Sequence, residues 1–146
     1  MLKSKHLIGL ENFPISDLNK IIDTSFKFKE ILESPERKAI LLKGKTIVNM
    51  FFEDSTRTKI SFTLAEKRLG ADSINFSSST SSVKKGETLK DTIQNIDAMK
   101  IDGAVIRHGH PGSALKLTEY IDGSVINAGD GSHEHPTQAI LDMVTL

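Results

Sequence analysis

The 146 residues contain no cysteine. Disulfides, thiolate nucleophiles and thiolate metal ligands are therefore excluded, and the composition fits a reducing compartment. Net charge is also absent, because 19 lysines and arginines balance 19 aspartates and glutamates. Such a chain projects no global field toward nucleic acid or an anionic membrane, and neither is expected as a partner. Any selectivity for an anion has to come from local placement of donors. Apolar runs are short, and none approaches the ~20 residues that span a bilayer. The charged start Met1-Leu2-Lys3-Ser4-Lys5-His6 is followed by no apolar stretch of the kind that directs secretion. The expectation is a soluble, cytoplasmic protein. Its hydrophobic (38%) and charged (26%) fractions are ordinary for a globular domain, and its length suits one core.

What is present alternates in period. Pro14-Ile15-Ser16-Asp17 predicts a helix start with Ser16 as N-cap, and Leu18, Ile21, Ile22, Phe28, Ile31 and Leu32 recur at helical spacing until Ser34-Pro35. Lys45 to Phe52 is short, apolar and β-rich, as a strand buried on both faces would be. A helix through Ile60, Phe62, Leu64, Ala65 and Leu69 follows and ends at Gly70. Next come a strand at Ser73–Phe76, a serine-rich loop from Ser77 to Ser82, a helix marked by Leu89, Ile93, Ile96 and Met99, and a strand at Ala104–Ile106. A short helix near Leu115–Leu117, a strand at Val125–Asn127 and a last helix from His135-Pro136 complete the pattern. This predicts an α/β fold with a doubly wound, four-stranded, mainly parallel sheet and helices on both faces. Ligands of such sheets bind at the carboxyl ends of the strands. The last helix is still apolar at Leu146, without cap or charged tail, which suggests a fragment of a longer chain.

The polar clusters fall at those strand ends. Ser55-Thr56-Arg57-Thr58 follows the first strand and opens the next helix. Unpaired N–H groups and the positive dipole end already favour an anion there, and three hydroxyls with a guanidinium add donors suited to phosphate oxygens. The bland alternative is a polar capping turn with an exposed arginine. Gly44-Lys45-Thr46 echoes the end of a Walker motif, but it precedes a strand, and Ala39 stands where the first glycine belongs. Lys84-Lys85-Gly86-Glu87-Thr88 reads as a flexible basic arm or a solvated turn. Arg107-His108-Gly109-His110 sits just past the third strand, with Arg107 facing the same crevice as Arg57 and the histidines read as exposed loop residues. After the fourth strand, Asn127 to Gln138 is glycine-rich and polar, and His135 and Gln138 share one face of a helix start. No His-Glu-x-x-His, paired carboxylates or Ser–His–Asp order is present, so neither a metal nor a cofactor is expected. The chemistry implied is positioning and charge stabilisation.

Phe51-Phe52-Glu53-Asp54-Ser55-Thr56-Arg57-Thr58, with Ser61-Phe62 and Lys67-Arg68-Leu69-Gly70-Ala71, resembles the carbamoyl-phosphate signature of the aspartate and ornithine carbamoyltransferases. Lys85-Gly86-Glu87-Thr88-Leu89, Asp91-Thr92 and the block from Asn127 to Gln138 resemble the aspartate branch. The ornithine branch usually lacks the lysine before Gly-Glu and carries a cysteine after His-Pro, where this chain has Lys85 and Thr137. The resemblance covers essentially the whole chain.

It implies that residues 1–146 form the carbamoyl-phosphate-binding domain and that the family's C-terminal aspartate-binding domain is absent from this chain. Ser55, Thr56, Arg57 and Thr58 would bind the phosphate of carbamoyl phosphate. Arg107, His135 and Thr58 would hold and polarise its carbonyl oxygen, and Gln138 would meet the carbamoyl amide. Ser81 and Lys85 would reach a neighbouring subunit's site, implying a homotrimer of catalytic chains, with regulatory chains as further candidate partners. The implied reaction is attack by the amine of L-aspartate on the carbamoyl carbon with loss of phosphate, a step toward pyrimidines. The alternatives are transfer to another amine such as ornithine, and a non-catalytic homologue that binds phosphate or assembles with partners.

Overall fold

A computed structural model describes residues 1–77 and 88–146. Along the chain run α1 (Ile15–Glu33), β1 (Thr46–Phe51), α2 (Thr56–Arg68), β2 (Asp72–Ser77), α3 (Leu89–Asp97), β3 (Gly103–His108), α4 (Ser113–Leu117), β4 (Ser124–Asp130) and α5 (Pro136–Thr145). The four strands form one sheet in the order β2-β1-β3-β4. Every pairing is parallel, where the sequence had suggested mainly parallel.

Strand alternation sorts the apolar residues onto two faces. Val48, Met50, Ala104, Ile106 and Val125 meet Ile93 of α3, Ala114 and Leu117 of α4, and Ile121 in the larger core. Phe51, Val105 and Ala128 form a smaller cluster against Phe62 of α2. Helices thus cover both faces, as a buried parallel sheet requires. Helix α5 packs on β4, and α1 packs on α5.

From β1 the chain steps outward to β2, and from β3 it steps outward the other way to β4. The reversal lies between β1 and β3, and their carboxyl ends border the crevice where sheets of this kind take ligands.

Several element ends differ from the sequence-based expectation. Helix α1 starts one residue before Ser16, with Pro14 at the cap position and no side-chain cap. Asp17 is instead buried and accepts the backbone N–H groups of Lys3 and Ser4, which straps the N-terminal segment to α1. Leu7 continues that segment alongside Ile126 of β4. Strand β3 runs on through Arg107 and His108, so these residues lie within the strand and not beyond it. The Phe52 N–H donates to the Arg107 carbonyl at 2.9 Å, which prolongs the ladder. Strand β4 likewise runs on past the expected Val125–Asn127 to take in Ala128, Gly129 and Asp130. Polarity misleads here because Asp130 is buried with a partner supplied from a distant segment, the Gly112 N–H.

Candidate functional site

Ser55 stands at the cap position of α2, yet its side chain caps no backbone N–H. Its hydroxyl donates instead to Thr58 Oγ1 at 2.9 Å. The first-turn N–H groups of α2 are thereby left without a side-chain acceptor, at the positive end of a helix that carries no acidic residue in its first turn. Thr56 and Arg57 are exposed beside them. Arg57 makes no hydrogen bond or ion pair with a described residue.

One strand over, the register sets Arg107 of β3 opposite Phe51 of β1. The guanidinium does not point into solvent. Its Nη1 donates to the Ala128 carbonyl at 3.0 Å and lies 3.2 Å from His135 Nε2. Glu53 Oε2 is 3.7 Å from Nε, close enough for an ion pair and too far for a hydrogen bond. Arg107 Nε is accordingly buried without a hydrogen-bond partner.

Gly129 makes this contact possible. A Cβ built there would stand 2.7 Å from Arg107 Nη1 and 3.2 Å from His135 Cδ2, and the residue holds φ +121°, a conformation strained for any L side chain. His135 caps α5 by accepting the Gln138 N–H on Nδ1 at 3.4 Å, and Pro136 occupies the first helical turn as expected. Burial lowers the affinity of the His135 ring for a proton, and the adjacent Arg107 lowers it further. The imidazole is held neutral by these surroundings.

The loop before His135 is stitched together by Asp130. It accepts the N–H groups of Gly112 at 2.8 Å and Glu134 at 2.9 Å. Burial would raise its pKa, but those N–H groups, Asn127 and His133 hold it below the usual carboxylate range. Asn127 donates to the Ile8 carbonyl and accepts the Gly129 N–H, both at 2.8 Å. Asp130, Asn127 and Glu53 support the site without having been singled out in the sequence. The one sequence signal for Asp130 is a carboxylate flanked by glycines directly after an apolar strand.

Arg107 and His135 are thus in direct contact. Ser55, Thr56, Arg57 and Thr58 occupy the same sheet edge one strand away, and no hydrogen bond or ion pair links Arg57 to Arg107. Gln138 is not drawn in, because its side-chain amide donates to Asp142 down the helix at 2.9 Å. Ser81 and Lys85 lie outside the described residues. His108, expected as an exposed loop residue, is half-buried at the strand end, where its ring stacks 5.2 Å from Phe52 and 5.0 Å from His110. Burial, then His110, lowers its pKa. Among the described residues no group of three or more His, Cys, Asp or Glu is arranged to hold a metal ion, and no helix is long and apolar enough to cross a membrane.

Known proteins resemble this chain in sequence and in fold. The family described as aspartate/ornithine carbamoyltransferase, carbamoyl-P binding domain, matches residues 5–146. The aspartate carbamoyltransferase catalytic subunit of Christiangramia forsetii is 52% identical over 145 residues, which is 99% of this chain and 47% of that protein. That of Desulfotalea psychrophila is 54% identical over 142 residues, covering 97% of this chain and 45% of its own. The aspartate transcarbamoylase of Trypanosoma cruzi, solved in complex with carbamoyl phosphate and aspartate, superimposes with a TM-score of 0.90 at 38% identity, over 99% of this chain and 47% of that one. The chain therefore spans about half the length of the relatives it matches. A match over nearly every residue, at more than half identity to curated members, leaves one conclusion: this chain belongs to the aspartate/ornithine carbamoyltransferase family and corresponds to its carbamoyl-phosphate-binding domain.

Proposed function

We propose that this chain grips carbamoyl phosphate as one half of a transferase that passes the carbamoyl group to the amine of L-aspartate, yielding N-carbamoyl-L-aspartate and phosphate. The observation that carries this reading is the Arg107–His135 contact at the β1/β3 switch point, beside a helix start whose donors are left uncapped. With the Gln138 N–H on Nδ1, a neutral His135 keeps its proton on Nε2. Arg107 Nη1 and His135 Nε2 are then two donors 3.2 Å apart, suited to one shared oxygen. That oxygen is the carbamoyl carbonyl, on which negative charge grows as the amine attacks. Thr58 assists it. Ser55, Thr56, Arg57 and Thr58 take the phosphate, which departs with both electrons of the C–O bond while hydroxyl and guanidinium donors stabilise its charge. Gln138 meets the carbamoyl amide, which requires its side chain to leave Asp142. No covalent intermediate on the protein is required.

Residues 1–146 are the carbamoyl-phosphate-binding domain in this reading, and the groups that bind the aspartate carboxylates belong to the other half of a full-length protein. Ser81 and Lys85 complete a neighbouring subunit's site in a homotrimer, and regulatory chains are candidate partners; for these the family resemblance is the support. Aspartate is favoured over ornithine by Lys85 and Thr137.

Offering aspartate and ornithine together to the full-length protein tests the assignment. Carbamoyl aspartate is the expected product, and citrulline as the main product overturns it. Mixing Arg57→Ala and Lys85→Ala chains should restore part of the activity each has lost, through sites shared between subunits; no recovery rules out action of Lys85 across subunits.

A further inference from the structure

Glu66 is the one buried carboxylate among the described residues that no ion pair and no backbone N–H group stabilises. It sits on α2 about two turns past Thr58, facing β1 and β2, and is 6% exposed. Asn49, fully buried on β1, donates from Nδ2 to Glu66 Oε2 at 2.9 Å and to Asn75 Oδ1 of β2 at 3.1 Å. Ser73 of β2 also donates to Glu66 Oε2. Thr63, one turn earlier on α2, donates to Asn75 Oδ1 at 3.1 Å. One oxygen of the carboxyl group thus accepts twice. Its other oxygen, Oε1, has no partner, and neither has Asn49 Oδ1, although both are buried.

Two buried acceptors without a donor are costly, at roughly 1–3 kcal/mol each and more for a charged group. A single proton on Oε1 removes both deficits. A carboxylic acid facing a primary amide closes a ring of two hydrogen bonds, N–H to the acid's carbonyl oxygen and O–H to the amide's. The first of these is in place here. The surroundings agree: on the packed elements the charged groups are Arg57, Lys59, Lys67 and Arg68 of α2 itself, Asp72 of β2 and none on β1, and none of them pairs with Glu66.

We infer that Glu66 is a positioning residue whose uncharged carboxyl group closes a hydrogen-bonded ring with Asn49, clasping α2 to β1 and β2 and so fixing the helix start that presents Ser55 to Thr58. The bearing on the ligand rests on the proposed function; the protonation state does not. Desolvation raises the Glu66 pKa, with the Ser73 and Asn49 hydrogen bonds only partly opposing it. A raised carboxyl gives stability that is complete below its ordinary value of ~4.3 and is lost as pH rises through the folded value.

Denaturant unfolding of the protein and its Glu66→Gln and Glu66→Ala variants from pH 4.5 to 8 tests this. Glutamine replaces O–H with N–H and keeps the ring at every pH. The ratio of the variant's folding constant to the wild-type constant should therefore climb with pH, by up to about tenfold per unit within the titration window. Taking the ratio cancels the histidines. Parallel wild-type and Glu66→Gln curves overturn the uncharged ring. Carbamoyl phosphate titration supplies the second arm: affinity retained in Glu66→Gln and weakened about tenfold in Glu66→Ala, or in Glu66→Leu should that variant not fold, is expected. Unchanged affinity in a folded variant without the ring overturns the positioning role. Failure of the wild type itself to bind would fall on the proposed function instead, and the unfolding curves would still decide the ring.

Discussion

The two edges of the sheet treat polar groups in opposite ways. At the amino edge, Asp102 accepts the Thr46 N–H at 2.9 Å and the Lys45 ammonium at 2.9 Å, and these partners hold its pKa below the usual carboxylate range. Asp17, on the strap that joins the N-terminal segment to α1, has both oxygens occupied by backbone N–H groups. At the carboxyl edge the donors are left in reserve. Arg57 has no described partner, Arg107 keeps a buried Nε without an acceptor, and His135 meets a guanidinium. One edge spends its polar groups on the fold. The other leaves an uncapped helix start and a buried guanidinium N–H without an acceptor, donors that an anion could satisfy.

Substitutions can break that contrast, and the largest effect belongs to the carboxyl edge. Arg57→Ala should weaken carbamoyl phosphate binding ~100-fold or more, about 3 kcal/mol, by removing charge-assisted hydrogen bonds. Because Arg57 is exposed and makes no hydrogen bond or ion pair with a described residue, the variant's melting temperature should stay near the wild-type value. Calorimetric titration beside a thermal melt checks both halves, and unchanged affinity would refute the anion site.

Gly129→Ala should act on fold and site together. The added Cβ would press on Arg107 Nη1 at 2.7 Å with φ at +121°. A loss of roughly 1–3 kcal/mol in unfolding free energy is expected from the strained backbone, with weaker ligand binding as Arg107 and His135 separate. Wild-type behaviour in denaturant unfolding would show that the close approach is not needed.

Acidification sharpens the contrast next. His135, His108 and His6 all have folded pKa values below the ordinary 6.5. The unfolded chain therefore binds more protons in the window below ~6.5, and stability present above it falls as pH drops toward the folded values. The slope should be at most about 1.4 kcal/mol per pH unit for each histidine. His135→Gln should flatten part of it, and an unchanged slope would mean that His135 titrates like a free imidazole. The smallest effect is expected at the amino edge, where the Lys45–Asp102 ion pair is exposed. Lys45→Ala should move the melting temperature by no more than about 2 °C, since such pairs are screened by water and salt.

Much of this was legible in the residues. The apolar strand cores, the stop at Ser34-Pro35, Gly70 after α2 and Pro136 at the start of α5 act locally, so the predicted elements and the observed ones share their centres. The Ser55–Thr58 helix start was legible for the same reason. The misplaced ends have another cause. Arg107, His108 and Asp130 are polar and read as loop, but they lie in strands, where partners far along the chain are brought within reach, such as Ala128 for Arg107 and Gly112 for Asp130. The turning of Gln138 toward Asp142 was not read in the sequence either, although the two stand four apart on α5, a spacing at which helical side chains meet.

Composition and hydrophobic period by themselves determined the class of fold and the order of its elements, and the motifs, by resemblance, pointed to the family. Only tertiary structure decided that Arg107 and His135 would lie 3.2 Å apart over a glycine, that Arg107 Nε would be buried without an acceptor, and that Glu66 and Asn49 would share an unpaired pair of oxygens. Periodicity and capping act within a few residues, whereas these contacts join segments brought together by sheet pairing, where burial and desolvation set the chemistry.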